Sequence, residues 1–188
     1  EESQRGARYQ NLLIPGLLFV YFFMRGTTLF NLLNNQYSLW YSFLMKTVVS
    51  HSLEETQKLA KEWLASLPQL TDEATIVGLY GNLGAGKTAF TQAVAREIGI
   101  TEPTTSPTFV IEKLYETTHP FFKRLIHIDA YRLDAGRELQ ALDFEKLVEN
   151  PNNLILIEWP ENVKEILPPN HIKIFCEFID EKTRKFSF

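Results

Sequence analysis

The chain has 188 residues, 45% apolar and 22% charged, a composition that fits one globular domain long enough to bury a core. A single cysteine, Cys176, excludes an internal disulfide framework and a cysteine-rich zinc site, and makes a reducing, intracellular location the default. From Met45 onward there are 16 basic and 21 acidic residues, a net of −5, too acidic for the domain to grip a nucleic-acid backbone unaided.

Composition divides the chain at Met45. Residues 1–44 hold 10 of the 24 aromatics but only five charges, Glu1, Glu2, Arg5, Arg8 and Arg25. Their apolar run LLIPGLLFVYFFM is broken by Pro15 and Gly16 and is shorter than the roughly 20 residues of a spanning helix. It also lacks the basic start and small-residue cleavage site of a signal peptide. An over-extended reading frame or disordered extension is the favoured account, ahead of a membrane anchor or a packed extension. The folded domain is expected over 45–188.

Ser52-Leu53-Glu54-Glu55 is a capping box and predicts a helix to about Leu67, stopped by Pro68. Leu53, Leu59, Ala60, Trp63, Leu64 and Leu67 should share its buried face. TIVGLY (75–80) is short, β-branched and followed by glycines, hence a strand. TAFTQAVAREI is helical, with Gly99 at its C-terminal cap. TEPTTSP (101–107) can only be loop. TFVIEKLYE (108–116) and RLIHID (124–129) alternate as strands, and so short a link between them implies an antiparallel hairpin. AGRELQALDFEKLVE reads as one helix, LILIE (154–158) as a central strand, and PENVKEIL as a short helix with Pro160 in its first turn. HIKIFCEF should close the sheet, and the KTR-containing tail should fray. The expected fold is α/β, a P-loop NTPase-like three-layer sandwich with a mixed sheet that includes an antiparallel hairpin.

Gly81-Asn82-Leu83-Gly84-Ala85-Gly86-Lys87-Thr88 fits G-x-x-x-x-G-K-[ST] between a strand and a helix, the setting in which this motif is credible. Its glycines let successive N–H groups converge on phosphate oxygens, and the helix that follows turns its positive end to the same anion. Lys87 supplies charge for the β- and γ-phosphates, and the Thr88 hydroxyl is placed to ligate Mg²⁺. Asp129 and Glu158 end apolar strands at the edge where α/β sheets bind ligands, so either can serve the metal or orient an attacking water. Thr108, behind Ser106-Pro107, resembles a switch whose hydroxyl approaches Mg²⁺ or the γ-phosphate. His127 reads as a packed or hydrogen-bonded histidine, and Arg132 as either a phosphate partner or the partner of an acid. No N-K-x-D is present, which excludes an ordinary GTPase. Arg132 and Arg137 are too sparse for the lid of a small-molecule kinase, and the length is short for a motor or helicase.

The ordered set S-L-E-E-T (52–56), G-N-L-G-A-G-K-T (81–88), T-S-P-T-F (105–109), H-I-D-A-Y-R-L (127–133) and L-I-E-W-P-E (156–161) closely resembles the TsaE (YjeE) family over about residues 48–178. That resemblance implies a cytoplasmic protein that binds ATP and Mg²⁺ and hydrolyses ATP weakly alone. It implies work with the TsaB and TsaD subunits in threonylcarbamoylation of adenosine 37 of ANN-decoding tRNAs, with tRNA met only through the complex and no membrane contact. By position it assigns Gly81, Asn82, Leu83, Gly84, Ala85, Gly86, Lys87, Thr88 and Ala89 to nucleotide binding, with Trp159 beside the nucleotide and Ser52 and Thr56 over the adenine. Thr88 and Glu158 fall to the metal, and Asp129, Glu158 and Thr108 to catalysis. Asn82 stands where the family often has Asp. A small-molecule P-loop kinase and a non-catalytic ATP-sensing module are the alternatives.

Overall fold

A computed structural model describes residues 46–68, 70–134 and 136–188; the expectation for residues 1–44 lies outside them. Among the described residues, seven strands form one sheet in the order β1-β7-β6-β2-β5-β4-β3. They are β1 (Thr47–Ser50), β2 (Thr75–Tyr80), β3 (Glu112–Glu116), β4 (Arg124–Asp129), β5 (Asn153–Glu158), β6 (Ile172–Phe178) and β7 (Arg184–Ser187). The helices are α1 (Leu53–Ser66), α2 (Lys87–Glu97), α3 (Arg137–Gln140) and α4 (Phe144–Val148), with a 3₁₀ turn at Pro160–Val163. Strands β6, β2, β5 and β4 run parallel, and the β3–β4 hairpin makes one margin antiparallel as expected.

Alternation along the two central strands assigns the layers. Leu125, Leu154 and Leu156 belong to one cluster with Phe90, Val94 and Ile98 of the α2 segment and Leu59, Ala60 and Trp63 of α1. Ile126, Ile128, Ile155 and Ile157 point the other way, against Leu139, Phe144 and Val163. Side chains of a strand alternate with period two, so His127 and Asp129 share the α2 face with Leu125, and Glu158 shares it with Leu156.

Both long helices follow their sequence signals. The Ser52 hydroxyl accepts the Glu55 N–H at 3.2 Å, while Glu55 Oε2 accepts the backbone N–H of His51 at 2.6 Å. After α2, the N–H groups of Gly99 and Ile100 return to the carbonyls of Arg96 and Ala95, which closes the helix in a Schellman pattern. Leu53 departs from the expected buried face: it is 66% exposed, and buried Thr56 takes the next turn inward.

Four further expectations fail for identifiable reasons. The strand expected over 108–116 begins only at Glu112, because Val110 and Ile111 both donate to Pro107 O and Ile111 takes φ 67°. The single helix expected over 135–149 is two short ones, with tight i→i+3 bonds at Leu142 and Asp143 and φ 55° at Asp143. The C-terminal tail is not frayed, and β6 does not close the sheet. Strand β7 inserts between β6 and β1, and fully buried Phe186 lies 5.4 Å from the Phe90 ring. Removing that aromatic should leave a cavity under the phosphate loop's helix. Phe186→Ala is expected to cost about 3–5 kcal/mol, read from the shift of a urea unfolding midpoint.

Candidate nucleotide site

The loop between β2 and α2 is shaped by its glycines and held from the neighbouring strand. Gly81 takes φ 141°, and a Cβ there would fall 2.2 Å from the Cys176 carbonyl oxygen of β6. Gly84 takes φ 78° in open space, and its carbonyl accepts Arg184 Nε–H from β7 at 2.9 Å. Gly86 caps α2, whose first-turn N–H groups have no partners within the helix. The loop residues Asn82 and Leu83 are exposed and Ala85 is buried. The tail thus braces the loop, a role for Arg184 that only the pairing of β7 reveals.

Lys87 is buried and folds back on its own loop, donating to Gly81 O at 2.6 Å and Asn82 O at 3.0 Å. Its ammonium also sits 3.8 Å from the centre of the Trp159 ring, a cation–π contact. Burial lowers its pKa, against the opposing pull of Glu158, Cys176, Glu161 and Asp129. Trp159 reaches this position through a left-handed residue (φ 59°) directly after β5, and packs 5.1 Å from Tyr131.

Asp129 and Glu158 stand side by side, paired in register at the ends of adjacent parallel strands, 4% and 3% exposed. Glu158 Oε2 accepts the Thr88 hydroxyl at 2.9 Å, and Oε1 is 2.9 Å from His127 Nε2. Asp129 Oδ2 accepts the hydroxyls of Ser106 at 2.6 Å and Thr108 at 2.5 Å, while Oδ1 accepts the Tyr131 N–H. Three contacts, Thr108–Asp129, Thr88–Glu158 and Lys87–Trp159, are thus brought together by the β4–β5 register and by the adjacency of Lys87 to Thr88. Ser106 and the His127 anchor were not marked as site residues in the sequence; each becomes visible only once the 106–108 turn and the β4–β5 register are known. The Arg132 guanidinium lies 4.5 Å from the centre of the exposed Phe109 ring, a contact that the sequence did not suggest.

Beside the loop, a cavity of about 360 Å³ is lined by Ser52, Leu53, Thr56, Gly86, Ala89 and Arg184, among others. Ser52, Thr56 and Ala89 thus share one concave wall next to the α2 N-terminus. Among the described residues no cluster of three or more His, Cys, Asp or Glu side chains could cage a metal by itself. The pair Thr88–Glu158 still fits Mg²⁺, a cation commonly held by one or two protein oxygens plus phosphates and waters. A hydroxyl that donates its proton to Glu158 keeps its oxygen lone pairs for a cation. Cys176 has no part in this chemistry: burial foremost pushes its thiol up to about 12.

These features define a candidate P-loop nucleotide site on a mixed α/β sheet. The model of the family "Threonylcarbamoyl adenosine biosynthesis protein TsaE" matches residues 50–186, and the chain belongs to the TsaE family. It is 38% identical over 138 residues to the tRNA threonylcarbamoyladenosine biosynthesis protein TsaE of Rickettsia felis, covering 73% of this chain and 75% of that one. Identity to the Aquifex aeolicus TsaE is 35% over 144 residues, covering 76% and 94%. The crystal structure of Bacillus subtilis YdiB superposes with a TM-score of 0.59 at 27% identity, over 77% of this chain and 86% of that one.

Two outcomes follow from the packing of the loop. Gly81→Ala, with both a disfavoured φ and a backbone clash, should cost about 3 kcal/mol or more, whereas Gly84→Ala, in open space, should cost about 1 kcal/mol; chemical denaturation compares the two. Cys176 should stay unmodified by an aromatic disulfide reagent at about pH 8 and react fully once the chain is unfolded, because only the thiolate attacks.

Proposed function

We propose that this chain is the ATP-binding and ATP-hydrolysing subunit that supports threonylcarbamoylation of adenosine 37 in ANN-decoding tRNAs, acting in the cytoplasm with TsaB and TsaD. The observation that carries the reading is the convergence of Lys87, Thr88, Thr108, Asp129 and Glu158 at one end of the sheet. A loop that only held phosphate would not need two buried carboxylates beside it.

In this reading the loop N–H groups from Gly81 to Thr88 and the Lys87 ammonium hold the β- and γ-phosphates. Ser52, Thr56 and Ala89 line the cavity for the adenine end. Thr88, whose proton Glu158 holds, would offer its oxygen to Mg²⁺; bound Mg²⁺ would neutralise charge that develops on the phosphate oxygens. Asp129 would support hydrolysis and holds the Thr108 hydroxyl, which would be the switch group for the metal or the γ-phosphate. Trp159 covers the Lys87 ammonium with its ring face. The kinase alternative draws no support from Arg132 and Arg137, too few for an arginine-rich lid. Among the described residues no helix is long and apolar enough to cross a membrane. The acidic balance of residues 45–188 favours reaching tRNA through the partner subunits rather than directly.

The test is ATP turnover by the full chain with and without TsaB and TsaD, alongside Glu158→Ala. The partners should raise turnover. Glu158→Ala should lower it by roughly 100-fold or more while a fluorescent ATP analogue still binds. Equal turnover in all three conditions would sink the assignment.

A further inference from the structure

His127 sits in the middle of the buried sheet face, flanked along β4 by Leu125 and Asp129 and opposite Leu156 on β5. It is fully buried, and a polar ring in such a row costs free energy unless it is bonded. Only one of its nitrogens has a partner: Nε2 lies 2.9 Å from Glu158 Oε1, while Nδ1 is buried without one. Glu158 Oε2 already accepts the Thr88 hydroxyl. With Glu158 Oε1 as its acceptor, Nε2 is the nitrogen that can donate. The proton then rests on Nε2 and the bare Nδ1 faces the core, which avoids an orphaned buried N–H. The tautomer is fixed by the packing.

We propose that His127 is a positioning residue for the ATPase centre: its Nε2–H pins Oε1 of Glu158 so that Oε2 is held on the Thr88 hydroxyl. The inference rests on the hydrolytic reading above and adds a residue to it. The physical need is rotational. The terminal torsion of a glutamate is broad and nearly two-fold, so a carboxylate fixed at one oxygen can swing the other away. With His127 on one oxygen and Thr88 on the other, the plane of the Glu158 carboxylate is set before nucleotide arrives. His127 touches no reacting atom. It acts through Glu158, and it does so from inside the core, where water cannot substitute for it.

Two measurements test this. Long-range ¹H–¹⁵N correlation spectra of the wild-type chain, with the His127 signals identified by their loss in His127→Gln, should show Nε2 protonated and Nδ1 bare. Glu158→Gln should shift the Nε2 signal. Turnover with TsaB and TsaD is then compared for His127→Leu, which fills the space without a donor, and His127→Gln, which returns an N–H near the Nε2 position. His127→Leu should lower kcat by roughly 10- to 100-fold with nucleotide affinity changed by less than about threefold, and His127→Gln should recover most of kcat. Full turnover by folded His127→Leu, equal impairment of both variants, or a protonated Nδ1 would overturn the inference. Should His127→Leu fail to fold, the tautomer still decides, since it is read on the wild type. Absence of turnover in the wild type with its partners would count against the hydrolytic reading instead, and leave the tautomer to judge the hydrogen bond.

Discussion

Burying two carboxylates next to each other is expensive unless donors surround them, and much of the structure around the site supplies those donors. Asp129 gathers two hydroxyls and a backbone N–H; Glu158 gathers a hydroxyl and an imidazole. Each donor imposes local geometry. Ser106 and Thr108 can reach Asp129 only if the chain after Pro107 turns instead of continuing as a strand. The Asp129 N–H in turn donates to Ile111 O, at the left-handed residue that ends that turn. The backbone irregularities beside the site are thus consequences of satisfying two buried acids.

The acids are adjacent because of the parallel register. β4 and β5 pair from Arg124↔Asn153 to Asp129↔Glu158, so both strands end level and on the same face. A shift of one residue would turn Asp129 to the opposite face, among Ile126 and Ile128. The apolar alternation that fixes the register also fixes the chemistry, since one face packs isoleucines and the other delivers leucines and then carboxylates. The P-loop helix lies on that second face, and Thr88 meets Glu158 there.

This division also explains what could be read from the sequence. The capping box, the strand TIVGLY, the glycine loop and the Schellman glycine are local signals whose energetics are complete within a few residues, and the structure reproduces them. Strands β4 and β5 were legible for the same reason, from alternation and from an unbroken apolar run. What failed depended on distant partners. Residues 108–111 alternate like a strand but answer to Asp129. Residues 135–149 carry no Gly or Pro at the break near Asp143, so helical periodicity gave no warning. Strand β7 is four residues long and half of it is charged. Its order comes from insertion between β6 and β1 and from the Phe186–Phe90 contact, neither of which has a local trace. In the site, the residue types at the strand ends were legible, while the links made by Ser106 and His127 required knowing which chain segments face each other.

The same brace that was invisible in sequence bears on how the phosphate site works. Arg184 holds the Gly84 carbonyl, and the Cys176 carbonyl fills the space beside Gly81, so the loop is tied to strands β6 and β7 on one side and to α2 on the other. Lys87 is bonded to two carbonyls of that loop and covered by Trp159. In the reading proposed above, an incoming phosphate therefore has little loop entropy to remove. What it must do is take over an ammonium that already has partners, and it can do so because a multiply charged anion outbids neutral carbonyls for a buried cation. In the proposed reading, selection at this site is electrostatic: a ligand without the charge to displace those carbonyls leaves Lys87 on its own loop.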